Sequence, residues 1–301
     1  MDISKFCGVM TASVTPVSRD GKIDSGAVGA LMDYYADNGI TGALWPSSTG
    51  EYFAMTPSQR RECVRAAVVH NAHNLTIMAN ISDGSLSVAI DNAKEMADIG
   101  ADAVVLQPPQ FHHHTQDELV DFFTNVADKS PIPLIVYNHM TRLPSKIDIS
   151  TIVKLKDHPN VVGIKDTHND AARLMALYTL IKPEYKFVIM AGGDGMAGYS
   201  AMLHMEMLNA LSGIRPDLFV EMYKAGRAGD IDKVANIQQR INRLMAVFTA
   251  LKGGKSSAAL FSQAIKVALS FKGLCSVYPV QLGYDLDDAD IQNVANVLSR
   301  V

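Results

Sequence analysis

The sequence predicts a (β/α)8 barrel, a TIM barrel, with a C-terminal helical extension, and three observations lead there. Short apolar runs recur along the first three quarters of the 301 residues, and most are continuous rather than alternating. Parallel strands covered on both faces have that character. Longer stretches with helical periodicity and their own start signals lie between the runs. About eight β-α repeats before residue 225 suit a closed barrel better than an open doubly wound sheet.

In order, the strand runs are residues 8–13, 42–46, 76–80, 103–106, 134–137, 161–165 and 187–191, with a weaker eighth within 206–212. Among the helices, Thr56-Pro57-Ser58-Gln59 is a capping box with proline at the first helical position. Residues 85–99 put Leu86, Ile90, Ala93 and Ala97 on one stripe, and Gly100 closes the helix. Residues 116–127 repeat the pattern with Leu119, Phe122, Phe123 and Val126. Past Ala225 the strand-like runs stop, and helices are expected over 230–250, 256–271 and 287–301. The expected organisation is therefore residues 1–225 as the barrel carrying the active site, and 226–301 as a helical region packed on it.

Composition narrows the function. Lys plus Arg is 27 and Asp plus Glu is 31, a net charge of −4. This argues against nucleic-acid binding, which wants a basic surface. At 48% hydrophobic and 19% charged, the chain can bury a sizeable core. No secretory signal pattern and no apolar run of membrane-spanning length is visible. Cys7, Cys63 and Cys275 are scattered and odd in number, unlike a disulfide framework or a metal cluster. A protein of the reducing cytoplasm is expected.

In such a barrel the chemistry sits at the carboxyl ends of the strands. The sixth run ends in Lys165, followed by Asp166-Thr167. A lysine there that points inward is desolvated toward the neutral amine, which forms a Schiff base with a ketone. The alternative is a lysine paired with Asp166 or Asp194. Tyr137 ends the fifth run, where it can shuttle protons; a satisfied core tyrosine is the other reading. The second run leads into Ser47-Ser48-Thr49-Gly50-Glu51, whose hydroxyls and backbone N–H groups make a cradle for a carboxylate. Glu51 would brace the turn.

Together the segments Gly8-Val9-Met10-Thr11-Ala12-Ser13-Val14-Thr15-Pro16, Ser48-Thr49-Gly50-Glu51, Val136-Tyr137-Asn138 and Gly163-Ile164-Lys165-Asp166-Thr167 carry a resemblance. Over essentially its full length the chain resembles the pyruvate-dependent class I aldolases of the dihydrodipicolinate synthase and N-acetylneuraminate lyase family. The resemblance implies a homo-oligomeric lyase, usually a tetramer, that needs no metal or organic cofactor. It implies that Lys165 forms the imine with a 2-oxo acid such as pyruvate, and that Tyr137 is the general acid/base. Ser48 and Thr49 would hold the carboxylate and complete a proton relay.

The second substrate is read from departures. In dihydrodipicolinate synthases the loop after the fourth strand carries a tyrosine that enters the relay of the adjacent subunit; here Phe111 falls at that place, followed by His112-His113-His114. Arg142, five residues after Tyr137, falls where that synthase grips the second substrate's carboxylate. Gly192 and Asp194 match positions that neuraminate lyase-like enzymes use for substrate hydroxyls, whereas Gly195 replaces an acidic partner, and Asn209 is expected to face the imine pocket. The leading expectation is cleavage or dehydration of a 2-keto-3-deoxy sugar acid. The alternatives are a 4-hydroxy-tetrahydrodipicolinate synthase, condensing pyruvate with aspartate semialdehyde, and a non-catalytic 2-oxo acid-binding barrel. For a catalytic barrel, a histidine of the same loop would replace the missing tyrosine. Residues 193–198 match G-x-G-x-x-G, but after the seventh strand rather than in a first β-α-β unit, so no nicotinamide site is expected.

Overall fold

The computed structural model describes residues 2–139, 141–181, 186–255 and 257–301. Among them, eight parallel strands close into a barrel in sequence order. They are β1 (Val9–Ala12), β2 (Gly42–Trp45), β3 (Thr76–Asn80), β4 (Ala103–Leu106), β5 (Leu134–His139), β6 (Val161–Thr167), β7 (Val188–Ala191) and β8 (Glu206–Asn209). Helices α1 (Ser25–Asp37), α2 (Pro57–Val69), α3 (Leu86–Ile99), α4 (Gln116–Lys129), α5 (Ile149–Leu155), α6 (Ala171–Leu180), α7 (Ala197–Met202) and α8 (Pro216–Arg227) alternate with them. The barrel predicted from the sequence is the barrel observed.

Local signals act where they were read. The Thr56 hydroxyl accepts from Gln59 N while the Gln59 side chain returns to Thr56 N, so α2 opens on a complete capping box. Gly100, at φ 107°, closes α3 in a left-handed conformation that costs a glycine little. The eighth run is shorter than expected, because after Asn209 the chain turns into a 3-10 helix at Leu211–Gly213. β5 and β6 each run two residues further than expected, which places one more inward side chain on each.

Beyond the barrel come α9 (Ile231–Leu244), α10 (Ala258–Ser270) and α11 (Asp288–Leu298). The boundary at 225 falls inside the last turn of α8, and Ser256, the expected start of the second helix, lies outside the described residues. Ile237, Ile241, Leu244, Ile265 and Leu269 join the same core as the outward-facing strand residues, so these helices pack on the barrel. Inside the barrel, Met10, Leu44, Met78, Val105, Ile135, Val162, Met190 and Leu208 form a separate apolar plug. It seals the barrel below the mouth, so only the carboxyl ends of the strands can open a cavity.

Candidate active site

Strand alternation decides which side chains reach that cavity. Ile135 points into the barrel, so Tyr137, two residues further on β5, does too. A register shift at Val162 re-phases β6, so that Lys165, next to the outward Ile164 and paired with Tyr137, shares that inward face. The register pairs Tyr137 with Lys165, and His139 with Thr167. Lys165 is 4% exposed, and its Nζ lies 4.1 Å from the centre of the Tyr137 ring. Asp166 faces the opposite side, which excludes it as the partner of Lys165. There it accepts from His168 Nδ1 (2.7 Å) and Arg173 Nε (2.9 Å).

The loop after β2 is fixed from three directions. Ser47 Oγ donates to Ser13 O (2.8 Å) and accepts from Gly50 N (2.9 Å). A Cβ at Gly50 would sit 2.7 Å from Thr15 Oγ1 and 2.8 Å from Ser13 O, so only glycine fits. Glu51, at φ 64°, braces the turn from the far side. Its carboxylate takes Lys266 Nζ of α10 at 2.7 Å and Val280 N at 2.9 Å, and Lys266 is wholly buried. The C-terminal region thus holds Ser48 and Thr49 at the mouth.

A cavity of about 270 Å³ results. Lys165, Tyr137, Ser48, Thr49, Arg142, Gly192 and Asp194, seven of the residues singled out in the sequence, all line it. Gly192 is there for room, since a Cβ would lie 2.4 Å from Thr167 Oγ1 and 3.3 Å from Lys165 Cε. Asn209 does not line it, which corrects the sequence reading. It stands two residues after Met207, whose side chain packs outward among the helices, and it keeps that face. Its amide is buried with neither atom hydrogen-bonded. His112 and His113 are exposed, His114 is bound through its backbone to Ser145 Oγ, and none of the three borders the cavity. Among the described residues no group of three or more His, Cys, Asp or Glu could hold a metal.

The cavity is electrostatically uneven. Burial raises the Tyr137 phenol pKa, but the Lys165 charge and the hydroxyls of Ser48 and Thr167, with Arg142, outweigh it and bring it below its ordinary value. Those two hydroxyls influence the phenol, yet neither completes a hydrogen bond of good geometry with any described residue. Burial pushes Asp194 up to about 7, against one hydrogen bond from Leu211 N. Burial and the charges of Arg142 and Lys165 bring His139 down to about 3.

Sequence reasoning missed His139, Thr167, Asn169, Met245, Phe248 and Phe261, all of which line the cavity. The first two could have been found by extending the two-residue alternation from Tyr137 and Lys165. Phe248 and Phe261 stack with ring centres 4.4 Å apart, and Arg142 lies over Phe261 at 5.3 Å. They arrive from the C-terminal region, and no motif marks them. A wider vestibule of about 750 Å³ adjoins the cavity through Ser48 and Arg142, bordered by Gln107, Gln110 and residues 281–284.

This mouth, together with the family match that follows, defines a class I lyase, an enzyme rather than a mere binding barrel. Residues 5–284 match the model of the Dihydrodipicolinate synthetase family, and the chain belongs to that family. It is 31% identical to the 4-hydroxy-tetrahydrodipicolinate synthase of Acidiphilium cryptum (strain JF-5) over 237 residues, 78% of this chain and 80% of that one. It is 30% identical to the enzyme of the same name from Phenylobacterium zucineum (strain HLK1) over 276 residues, 90% and 89% of the two chains. The solved dihydrodipicolinate synthase of Bacteroides thetaiotaomicron superposes with a TM-score of 0.91 over 98% of both chains at 24% identity. YagE of E. coli K12, a family member solved with pyruvate, superposes with a TM-score of 0.89 at 23% identity, again over 98% of both. At these identities the two structures speak to the fold. Among the described residues no helix is long and apolar enough to cross a membrane.

Proposed function

We propose that the chain joins pyruvate to an aldehyde, or runs that reaction backwards, through an imine on Lys165. The observation that carries the reading is the buried Lys165 Nζ, 4.1 Å from the Tyr137 ring, in a cavity whose Ser48 and Thr167 hydroxyls act on the phenol without completing a hydrogen bond of good geometry. Buried polar atoms without partners in a native site point to a ligand that completes them. Neutral Nζ adds to the ketone carbon, and the Tyr137 phenol gives its proton to the hydroxyl that leaves as water, giving an iminium and a phenolate. Tyr137 takes a proton from the neighbouring methyl group, and the enamine so formed attacks the aldehyde carbon. Ser48 and Thr49 hold the pyruvate carboxylate.

Aspartate semialdehyde is the best-supported second substrate. The curated relatives above are named 4-hydroxy-tetrahydrodipicolinate synthases, which favours this reading over the sugar-acid expectation that led in the sequence. Arg142 supports it, since it borders both cavity and vestibule and has no carboxylate partner among the described residues. The sugar-acid reading keeps two observations. Phe111 has no hydroxyl to pass a proton, and Asp194 lines the cavity, where its carboxyl can meet a substrate hydroxyl.

The chain is also read as a cytoplasmic homo-oligomer, a tetramer by family pattern. Phe111, 89% exposed at φ 85°, supports assembly, because a large apolar ring held in a strained turn suits a covered surface. Light scattering of the purified protein tests this. For the chemistry, the test is borohydride reduction with pyruvate and peptide mapping, then turnover of aspartate semialdehyde against 2-keto-3-deoxy sugar acids. An adduct on Lys165 with faster use of aspartate semialdehyde is expected. No adduct from a folded sample would sink the imine reading, and faster sugar-acid cleavage would reverse the order of the two substrates.

A further inference from the structure

The mouth contains a histidine that neither the imine nor the carboxylate cradle uses. His139 ends β5 two residues after Tyr137, on the same inward face, and its ring stands edge-on to Tyr137 with centres 6.3 Å apart. The backbone N–H of Thr141 donates to His139 Nδ1 at 3.3 Å. In a neutral ring whose Nδ1 accepts, the proton sits on Nε2. The hydrogen bond of the ring lies on Nδ1, and His139 lines the cavity.

The charged and titratable groups around it explain why the ring keeps this form. Arg142 from the following loop, Lys165 and His168 from β6 and its extension all disfavour a positive imidazole, and Asp166 alone favours it without prevailing. Burial acts with the cations. The ring therefore stays neutral across the physiological range, a donor that does not release its proton. A neutral imidazole is suited to polarising a carbonyl and holding the oxygen that becomes negative.

Resting on the imine reading above, we propose that His139 Nε2–H is the hydrogen-bond donor to the aldehyde oxygen of the second substrate. As the enamine carbon bonds to the aldehyde carbon, the carbonyl π pair moves onto that oxygen and the iminium is restored. Tyr137, which gained a proton when the enamine formed, delivers it to the new alkoxide. His139 neither gains nor loses a proton and stabilises the alkoxide until it is protonated. It acts from within the same subunit and leaves the proton transfer to Tyr137. The three consecutive histidines of the loop after β4 are not needed.

The test separates the two substrates. Exchange of the pyruvate methyl protons for deuterium, followed by NMR, reports imine and enamine formation without any aldehyde. Condensation of pyruvate with aspartate semialdehyde and with glyceraldehyde reports the second step. H139L is expected to keep methyl exchange within about twofold and to lose about 100-fold in condensation, the usual cost of one such donor. H139Q, which keeps an N–H donor, is expected to recover at least tenfold of that loss. Unchanged condensation in H139L would overturn the inference, as would loss of methyl exchange in step with condensation. Failure of methyl exchange in the unaltered enzyme would instead overturn the imine reading on which it rests.

Discussion

The two faces of the β5–β6 pair carry similar residues in opposite conditions. On the outer face, Asn138, Asp166, His168 and Arg173 satisfy one another. Asp166 accepts from His168 and Arg173, Asn138 reaches Asp166 (3.3 Å) and bonds Ile147 N (3.1 Å), and Arg173 donates to Ile147 O (2.9 Å). His168 and Arg173 outweigh burial and hold the Asp166 carboxyl below the usual carboxylate range. On the inner face, one residue away along the same strands, Tyr137, Lys165 and Thr167 share a cavity with Asp194, and buried hydroxyls go unpaired. The outer network fixes the backbone and anchors at Ile147 the loop that carries Arg142. The inner one leaves its polar atoms to a ligand. Equal burial thus produces a strut on one face and a reaction centre on the other, and the difference lies in the partners supplied.

The sharpest way to break this contrast is at Lys165. Lys165→Ala should abolish borohydride trapping of pyruvate and cut turnover by several orders of magnitude, because no other amine lines the cavity among the described residues. Its thermal unfolding should move little, since Lys165 forms no ion pair there. On the outer face the effects should be reversed. Arg173→Leu leaves Asp166 buried with a weaker set of partners and is expected to cost about 3–5 kcal/mol by denaturant titration. Asp166 stabilises the fold above its unfolded pKa, and that contribution is lost as pH falls through its depressed folded value. Removal of Arg173 should shift this loss to higher pH, while the folded fraction still traps pyruvate.

This contrast also explains how much was legible beforehand. The barrel could be read because continuous apolar runs separated by capped helices have few other solutions. Lys165, Tyr137, Ser48 and Thr49 could be read because they end those runs within recognisable segments. Asn209 was misjudged by one residue's worth of alternation, the smallest slip that sends a strand side chain to the other face. The brace Lys266–Glu51 and the wall formed by Phe248 and Phe261 link positions far apart in the chain. Nothing local in the sequence announces such contacts, and His139 escaped because β5 continues past the apolar run that marked it.

Asp194 allows the comparison with Asp166 to be made by pH alone. Its folded pKa of about 7 stands well above the ordinary 3.8, so the folded state holds a proton that the unfolded state has released. Stability should fall as pH rises from about 4 to about 7 and be flat beyond. Asp194→Asn should remove this decline, amounting to a few kcal/mol, when unfolding is followed across that range. A decline of equal size in the variant would mean that another group is responsible.

The smallest effect is expected at Asn209. Its amide sits on the outer face of β8, buried, with neither Nδ2 nor Oδ1 paired, whereas its backbone carbonyl is held by Ser212 Oγ at 2.8 Å. Asn209→Leu removes two unsatisfied polar atoms, leaves the carbonyl in place and roughly conserves volume. Exchanging an unpaired buried amide for an apolar group is near neutral or stabilising, so unfolding should shift by less than about 1 kcal/mol. The Michaelis constant for pyruvate should not change. A tenfold rise in that constant with stability intact would mean that Asn209 turns toward the imine when substrate binds. The assignment of inner and outer faces would then hold only for the empty barrel.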